Sequence, residues 1–417
     1  MRPRTIGLLV AVLLVFAGVG AYGLTDGPAA SGPGAAEPVE LAERWISSLP
    51  EALESNHHSP AAVAIDGESY IAVPINSRQG TVCRMSVLDG DGEERWADTL
   101  SEADCNVHSI SDPTIADYDR DGEPEILAAT SAREFVAYSL DGRVELRRNL
   151  TSFGYSTPVV ADLTGDETPE TVVVDLLGGV SVFRPDGSRV WNRDVGDARV
   201  RQPRVEDFDA DGDPELAVGK TGGSVVMLNG DGSTRWQRNL SDALTLRWIV
   251  PAQIDDDPAV ELVAAGFSGN VYAIDGRTGE TQWRRGFDAR GTSVYAVGDG
   301  DDDGVPEAYV AARDGKVRSL NARNGSVEWT TTLTLEPVAP MPPPSLGDLN
   351  GDGSLELVAP SNTGSVSVLD PTTGELIDSY SREEKINTFV PLVDFDGDGD
   401  PEALVIYNDG RVAALDA

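Results

Sequence analysis

The feature of this sequence that most constrains its fold is an acidic loop of nine residues that recurs seven times, each time followed by an apolar run. The seven copies read DYDRDGEPEILAA, DLTGDETPETVVV, DFDADGDPELAVG, QIDDDPAVELVAA, DGDDDGVPEAYVA, DLNGDGSLELVAP and DFDGDGDPEALVI. The glutamates that end the loops occupy positions 125, 170, 215, 261, 307, 356 and 402, so successive copies lie 45 to 49 residues apart. A period of this length is typical of the blades of a β-propeller.

Each repeat contains four short segments with strand character. In one repeat they are TPVVAD, ETVVVDLL, GVSVFRPDG and RVWNRDV. Aliphatic and β-branched runs separated by Asp-Gly, Asn-Gly or Pro-containing turns indicate antiparallel strands. No segment after residue 39 has a sustained helical period. Because four antiparallel strands repeated around a ring make a propeller blade, the sequence predicts an all-β fold.

The number of repeats predicts eight blades and the way in which the ring closes. A degenerate first unit runs from Pro60 to about Leu100, with its acidic loop reduced to IDGESY, and six complete units follow. The eighth unit lacks a fourth strand, whereas residues 40–49, ELAERWISSL, resemble the last strand of a unit, EERWADTL, with Trp45 in the position of Trp96. We therefore predict an eight-bladed β-propeller of four-stranded antiparallel blades, in which the N-terminal strand closes the last blade and removes its free edge.

A tryptophan recurs near the last strand of the unit, at Trp96, Trp191, Trp236, Trp283 and Trp329. A large aromatic side chain at one position of a repeat most simply fills the gap between adjacent blades. We interpret these residues as packing residues and not as a ligand site.

The acidic loops have the composition of a calcium site. Each offers side-chain oxygens at its first, third and fifth positions, a backbone carbonyl at the seventh and a glutamate at the ninth, and Ca²⁺ takes about six to eight such hard ligands. A glycine at the sixth position lets the chain turn back sharply. Acidic turns on a salt-adapted surface are the alternative, but seven loops in the same phase favour calcium.

The loops predict up to seven calcium sites, of which five are strong. The strong sets are Asp117, Asp119, Asp121 and Glu125; Asp207, Asp209, Asp211 and Glu215; Asp299, Asp301, Asp303 and Glu307; Asp348, Asn350, Asp352 and Glu356; and Asp394, Asp396, Asp398 and Glu402. Two sets are weaker. In Asp162, Thr164, Asp166 and Glu170 the third-position ligand is a hydroxyl, and in Gln253, Asp255, Asp257 and Glu261 the first is an amide while Pro258 replaces the glycine.

The charge of the chain limits its partners. A net charge of −38, from 70 acidic and 32 basic residues, argues against nucleic acid and anionic lipid. The seven loops contain 31 of the acidic residues, so calcium would neutralise only part of the charge. Adaptation to concentrated salt, which screens self-repulsion, is the explanation for the rest. The two cysteines, Cys83 and Cys105, either form one disulfide in an exported chain or remain as two thiols.

The N-terminus predicts export. Arg2 and Arg4 precede an uncharged, mostly apolar run over residues 6–24, which is long enough as a helix to cross a bilayer. The two arginines orient the chain with everything after this run outside the cell. We expect a signal anchor at residues 1–24, with a cleaved signal peptide and a secreted protein as the alternative. A flexible linker over residues 25–39 and a propeller over 40–417 complete the predicted domains.

The phrasing of the loops, as in DFDGDGDPEALVI and DLNGDGSLELVAP, resembles the FG-GAP or VCBS-type repeats of integrin α-subunits and secreted microbial proteins. That resemblance implies a propeller with calcium at the listed positions. The turns AIDGRTGETQW, LNARNGSVEW and LDPTTGEL also resemble the repeats of PQQ-like quinoproteins and of the outer-membrane assembly lipoprotein BamB, which implies eight blades. Together with the acidity, the chain resembles a haloarchaeal surface protein.

Two classes of function fit these features. The first is a non-enzymatic, extracellular binding or assembly scaffold, with a protein or carbohydrate ligand at the cell surface and no catalytic residues. The second is an enzyme on the same fold, either a PQQ-type quinoprotein dehydrogenase or a calcium-dependent polysaccharide lyase. The scaffold is favoured because no GxSxG, HExxH or Walker motif is present. We interpret the three histidines, His57, His58 and His108, as loop residues.

Overall fold

The computed structural model describes residues 39–49, 56–77, 82–105, 108–198, 202–336 and 341–417. Over these residues, 32 β-strands form eight separate sheets of four antiparallel strands. The predicted all-β, eight-bladed propeller is therefore confirmed. The signal anchor and all but the last residue of the predicted linker lie outside the described residues. Among the described residues there is no helix with the length and hydropathy needed to span a bilayer.

The strands are numbered in chain order and each blade contributes an inner, a second, a third and an outer strand. The inner strands of blades 1 to 8 are β2 (Ala61–Ile65), β6 (Thr114–Ala116), β10 (Val159–Ala161), β14 (Arg204–Glu206), β18 (Leu246–Ala252), β22 (Ser293–Gly298), β26 (Ser345–Gly347) and β30 (Leu392–Val393). The second strands are β3 (Glu68–Ile75), β7 (Glu125–Thr130), β11 (Glu170–Val174), β15 (Glu215–Gly219), β19 (Glu261–Gly266), β23 (Glu307–Ala311), β27 (Glu356–Pro360) and β31 (Glu402–Ile406).

The third and outer strands complete each sheet. The third strands are β4 (Arg84–Leu88), β8 (Glu134–Ser139), β12 (Gly179–Phe183), β16 (Ser224–Leu228), β20 (Asn270–Ile274), β24 (Lys316–Asn321), β28 (Ser365–Leu369) and β32 (Val412–Asp416). The outer strands are β5 (Glu94–Thr99), β9 (Val144–Asn149), β13 (Arg189–Asp194), β17 (Thr234–Asn239), β21 (Thr281–Gly286), β25 (Val327–Thr332), β29 (Leu376–Ser381) and, for blade 8, β1 (Ala42–Ile46).

Blade 8 joins the two ends of the described chain. Its sheet has the order β1-β32-β31-β30, so the outer strand comes from the N-terminal part and the other three come from the C-terminal part. Ala42 pairs with Asp416 and Ile46 pairs with Ala413 in antiparallel register. The predicted closure by residues 40–49 is therefore confirmed, and β1 covers an edge of β32 that would otherwise be exposed.

The hydrophobic core lies between neighbouring blades. The second strand is buried along its whole length in blades 2 to 8, and the third strand is buried except at its ends, whereas the outer strand β13 consists of exposed and half-buried residues. One cluster joins Val172 of blade 3, Leu216 of blade 4 and Leu262 of blade 5. Each sheet therefore buries apolar side chains on both faces against its neighbours, which explains the near-continuous Val, Ile and Leu runs of the sequence.

Five recurring tryptophans link their blades to the next one, as the packing interpretation requires. The indole N–H groups of Trp96, Trp191, Trp236, Trp283 and Trp329 donate to a backbone carbonyl in the following blade, at 2.6–2.8 Å. The acceptor lies in the turn between the third and outer strands. Each ring also covers a glycine of that turn, for example Trp283 against Gly325, whose φ is +69°. A side chain there would collide with the indole, so glycine meets both a conformational and a steric requirement.

The strand order gives the ring two chemically different faces. We call the first the acidic face, formed by the loops from inner to second strands and by the turns from third to outer strands. We call the opposite one the entry face, formed by the connections that enter each inner strand and by the turns from second to third strands. Cys83 and Cys105 form a disulfide that joins the start of β4 to the connection entering blade 2 on the entry face.

Candidate metal sites

Each of the seven acidic loops ends on a buried glutamate that begins a second strand. These glutamates are at most 4% exposed, and they are Glu125, Glu170, Glu215, Glu261, Glu307, Glu356 and Glu402. In six loops the carboxylate accepts the backbone N–H of the second loop residue at 2.8–3.2 Å. The strand therefore fixes the glutamate, and the glutamate fixes the start of the loop.

The first residue of the loop sets the turn. The carboxylates of Asp117, Asp207, Asp299, Asp348 and Asp394 each accept the N–H of the sixth residue, a glycine, at 2.9–3.1 Å. These glycines have φ between +83° and +108°, a region that other residues rarely adopt. The turn brings the side chains of the loop together around one point.

Carboxylate oxygens from different loop positions lie within 4.8 Å of one another in blades 2, 4, 5 and 6. The groups are Asp117, Asp119 and Glu125; Asp207, Asp209 and Glu215; Asp255, Asp257 and Glu261; and Asp299, Asp301 and Asp303. Among the described residues, Asp117 Oδ1 and Glu261 Oε1 are buried and have no hydrogen-bond partner. Converging oxygens with buried acceptors to satisfy fit a hard cation such as Ca²⁺.

The two loops predicted to be weaker differ from the rest in different ways. In blade 3, Thr164 donates its N–H and its hydroxyl to Glu170, at 3.1 and 2.9 Å, so the hydroxyl engages the glutamate within the loop. In blade 5, the Gln253 amide donates to the carbonyls of Asp255 and Asp257. Asp255, Asp257 and Glu261 nevertheless converge, although Pro258 stands where the five strong loops turn on glycine.

Burial and mutual repulsion raise the pKa of the closing glutamates. Burial, with repulsion from Asp119 and Glu145, raises the pKa of Glu125 to about 8, and burial with repulsion from Asp301 and Glu328 does the same for Glu307. Burial raises four others to about 7, namely Glu215, Glu261, Glu356 and Glu402. Without a cation, these carboxyls retain protons near neutral pH, so a bound cation would relieve an electrostatic cost.

A feature that sequence reasoning missed is a β-bulge in every outer strand. The register between third and outer strands shifts by one residue in all eight blades, directly before the position of the tryptophan. A bulge re-aims the side chain of its extra residue. In blades 1 to 8 the bulge residues are Arg95, Glu145, Val190, Arg235, Gln282, Glu328, Ile377 and Arg44.

The bulge residues extend toward the acidic loop of their own blade. In blade 8, Arg44 Nη1 lies 2.6 Å from Asp396 Oδ2 and 3.0 Å from Glu402 Oε1. In blade 4, Arg235 forms ion pairs with Asp209 and, at 3.1 Å, with Glu215. Two loops that the sequence ranks among the strongest therefore already contain a guanidinium group. In the sequence, these arginines could have been found as the residues directly before the aligned tryptophans.

Glutamates take the bulge position in blades 2 and 6. The negative charge of Glu145 raises the pKa of Asp119 and Glu125, after the larger effect of burial, and Glu328 acts in the same way on Asp301 and Glu307. These two loops therefore have the highest local density of negative charge and no internal counter-ion from the bulge.

The entry face exposes four large apolar side chains, whereas the other four among the described residues, Val144, Val327, Leu376 and Ile377, lie at the starts of outer strands. Phe153, Leu177, Leu244 and Leu335 are 40, 58, 51 and 93% exposed. The first, third and fourth lie in connections entering blades 3, 5 and 7, and Leu177 lies in the neighbouring turn of blade 3. Solitary exposed leucines are ordinary on protein surfaces, whereas these four side chains lie on one face of the ring.

The centre of the entry face is filled by aromatic rings from distant blades. Phe389, which precedes β30, stacks on Tyr295 of β22 with ring centroids 4.0 Å apart, and lies 6.0 Å from Trp248 of β18. Rings from blades 5, 6 and 8 therefore meet across the axis.

Comparisons with known proteins agree with this architecture. The family model described as outer membrane protein assembly factor BamB matches residues 78–300 and 258–417. No curated protein sequence matches the chain significantly. Among solved structures, BamB from Moraxella catarrhalis is similar with a TM-score of 0.59 and 15% identity, over 91% of this chain and 98% of that one.

Two further solved structures show how widely the fold is used. A quinohemoprotein alcohol dehydrogenase from Pseudomonas putida HK5 is similar with a TM-score of 0.64 and 12% identity, over 90% of this chain and 76% of that one. The V. cholerae biofilm matrix protein Bap1 is similar with a TM-score of 0.52 and 14% identity, over 91% of both chains. At these identities the similarities show the fold alone.

Proposed function

Since the chain belongs to the family described as outer membrane protein assembly factor BamB, we propose that it is a non-enzymatic scaffold that docks a protein partner on its entry face and binds calcium on its acidic face. The observation that carries the docking proposal is the exposure of Phe153, Leu177, Leu244 and Leu335 on one face. The opposite face consists of acidic loops, which would oppose the approach of most acidic partners.

Calcium is proposed for the acidic loops because the donor set, the turn geometry and the raised glutamate pKa values favour a hard cation. We rank the loops by their bulge residue. Blades 2 and 6, with Glu145 and Glu328, would bind Ca²⁺ most strongly, and blades 4 and 8, with Arg235 and Arg44, would bind it most weakly, because the guanidinium competes for the same oxygens. Ions that bind only the folded ring would stabilise it, by a few kcal/mol per site at about a hundredfold excess over the dissociation constant.

We also propose that residues 6–24 anchor the ring to a membrane, with the ring outside the cell. The support is the apolar run behind Arg2 and Arg4. The Cys83–Cys105 disulfide fits an oxidising compartment. An origin in a salt-rich habitat remains a proposal that rests on the net charge of −38.

The docking proposal is tested by cross-linking and purification of the full chain from the membrane fraction of its own cells, in calcium. The wild type is compared with a double variant of the entry face, Leu177→Asp with Leu244→Asp. The matched control is Val327→Asp with Leu376→Asp, which alters two other exposed apolar residues, 40% and 59% exposed, at the starts of outer strands. We expect one discrete protein to be recovered with the wild type and the control, and about tenfold less of it with the entry-face variant. Equal recovery with both variants, or no discrete protein, would refute the proposal.

A quinoprotein-type enzyme is the alternative function, and one observation favours it. Arg204 lies on an inner strand, its Nε donates to the carbonyl of Ile249 at 3.0 Å, and burial lowers its pKa. A buried cation near the axis would pair with an acidic quinone cofactor. Added PQQ would then give a bound quinone absorbance that Arg204→Gln removes, whereas the scaffold proposal expects no saturable PQQ binding.

A further inference from the structure

All three histidines of the sequence meet at one place on the entry face. His57 and His58 lie in the segment that enters β2, and His108 lies in the connection that enters β6. One ring nitrogen of each lies within 4.8 Å of the others. His57 Nε2 and His108 Nδ1 are 2.8 Å apart. The three histidines do lie in loops, as the sequence interpretation has it, but that interpretation does not show that their side chains meet.

The cluster has a supporting carboxylate. Asp112 Oδ1 accepts a hydrogen bond from His58 Nδ1 at 2.8 Å and from the N–H of Ser59 at 3.0 Å, and both His58 and Asp112 are buried. Because a carboxylate only accepts, Nδ1 of His58 carries the proton, and Nε2 would be the nitrogen that binds a metal. A carboxylate behind a histidine is the usual way in which proteins orient a metal-binding imidazole.

The segments that carry the histidines are tied to the ring. The Cys83–Cys105 disulfide lies three residues before His108. Two hydrogen bonds between the Asn76 side chain and the backbone of Ile110, at 2.8 and 3.1 Å, hold the chain after it. On the other side, the Asn387 amide donates to the carbonyl of Asn56 at 3.0 Å. The three imidazoles are therefore placed before any ligand arrives.

We propose that His57, His58 and His108 bind one borderline divalent cation of the Zn²⁺ class, with Asp112 orienting His58. In a chain with 70 acidic residues, three imidazoles with one ring nitrogen of each within 4.8 Å of the others provide a nitrogen-rich site. Imidazole nitrogen suits Zn²⁺, Cu²⁺ and Ni²⁺, whereas Ca²⁺ takes oxygen. Tetrahedral Zn²⁺ needs nitrogens about 3.3 Å apart, so the 2.8 Å pair would open slightly as the metal replaces the proton between them.

The exposure of the histidines shows from which side a metal ion would reach the site. His58 is buried, whereas His57 and His108 are half-buried and face the entry side. The ring of Tyr155 lies 5.2 Å from that of His108 and forms one wall. Three protein ligands leave a fourth position for water or for a donor from another molecule. This site would lie opposite the acidic loops, and it depends on neither the calcium nor the docking proposal.

The test uses the full chain, purified without a histidine tag, stripped of metal and then saturated with Ca²⁺ so that the acidic loops do not compete. Co²⁺ is titrated as a spectroscopic probe, and Zn²⁺ is then added to displace it. We expect one equivalent of Co²⁺ with visible ligand-field absorption, and loss of that absorption on adding Zn²⁺. The proposal would be overturned if Co²⁺ binding did not saturate, or if the absorption were that of octahedral Co²⁺ bound only to oxygen.

Variants separate a metal site from a merely structural cluster. His57→Gln and His58→Ala should each remove the stoichiometric Co²⁺ signal, and Asp112→Asn should weaken Zn²⁺ binding about tenfold or more. Asp175→Asn is the matched control, since Asp175 is an equally buried aspartate on the same face that accepts backbone N–H groups of blade 3. It should leave binding unchanged. If His58→Ala fails to fold, His57→Gln still decides the question, because His57 is only half-buried. Undiminished Co²⁺ binding by a folded His57→Gln variant would exclude the site.

Discussion

At the scale of single residues, the bulge position distinguishes loops that look alike in sequence. The loops DFDADGDPE of blade 4 and DYDRDGEPE of blade 2 both offer carboxylates at the first, third, fifth and ninth positions. Arg235 pairs with the carboxylates of the first of these loops, whereas Glu145 adds a charge to the second. The affinity of a loop for calcium should therefore depend on a residue outside it.

Replacing the arginine of blade 4 should strengthen its loop. We expect Arg235→Gln to raise the calcium affinity of this loop about fivefold, because removing a guanidinium group that competes with the metal is worth about 1 kcal/mol. Calorimetric titration of chelator-treated protein would resolve the change in the weaker class of sites. Arg147→Gln is the control, since Arg147 pairs with Asp98 and Glu134 on an outer strand of blade 2. Equal effects of the two substitutions would contradict the assignment.

The closing glutamates predict an unusual pH dependence. Their pKa rises from an ordinary 4.5 to about 7 or 8 in the metal-free ring. At pH values between the unfolded and the folded pKa, the folded chain binds more protons than the unfolded chain. The free energy of unfolding therefore falls as pH rises through this range. We expect the urea midpoint in chelator to decrease from pH 5 to pH 8, and the decrease to shrink in saturating calcium. A midpoint that rises with pH in chelator would show that the glutamates are not protonated as described.

At the scale of elements, the outer strand connects each blade both to its neighbour and to its own loop. The tryptophan after the bulge contacts the turn of the next blade, and the bulge residue contacts the loop of the same blade. Both arrangements depend on one register shift, because without the bulge the two adjacent side chains would alternate strictly across the sheet.

Truncating a tryptophan should loosen one junction between blades. Trp283→Ala removes a nearly buried indole and its hydrogen bond to Ala322, and we expect a loss of about 2 to 4 kcal/mol in the free energy of unfolding. Trp283→Phe keeps most of the packing and loses the N–H donor, so about 1 kcal/mol is expected. Urea denaturation followed by circular dichroism measures both. If the two variants were equally stable, packing against Gly325 would not be the main contribution.

Sequence reasoning succeeds where the repeat itself encodes the answer. The similarity of Trp45 to Trp96 predicts that its strand belongs to blade 8, and β1 does pair with β32. It fails where the information lies in pairs that are distant along the chain. Arg44 meets Glu402 across 358 residues, and His58 meets Asp112 across a boundary between blades. The place of Arg44 before an aligned tryptophan marks the residue but not its partner, and nothing local marks the pair of His58 and Asp112, because antiparallel register and the direction of a bulged side chain are set only when the ring closes.

At the scale of the whole molecule, closure by β1 should be essential for stability. A chain that begins at Val39 keeps β1, whereas a chain that begins at Pro50 leaves the edge of β32 unpaired. We expect the first truncation to melt like the full chain and the second to melt at least several degrees lower and to aggregate. Differential scanning calorimetry compares them directly. Identical melting of the two truncations would mean that β1 does not hold the ring.

The most direct test of the account is a calcium titration of chelator-treated full-length protein at constant ionic strength, with melting temperature and heat recorded together and Mg²⁺ as control. The account predicts several equivalents of Ca²⁺ per chain, up to seven, in at least two affinity classes, and a melting temperature that rises with Ca²⁺ much more than with Mg²⁺. No saturable heat, together with a melting temperature unchanged between chelator and calcium, would contradict it.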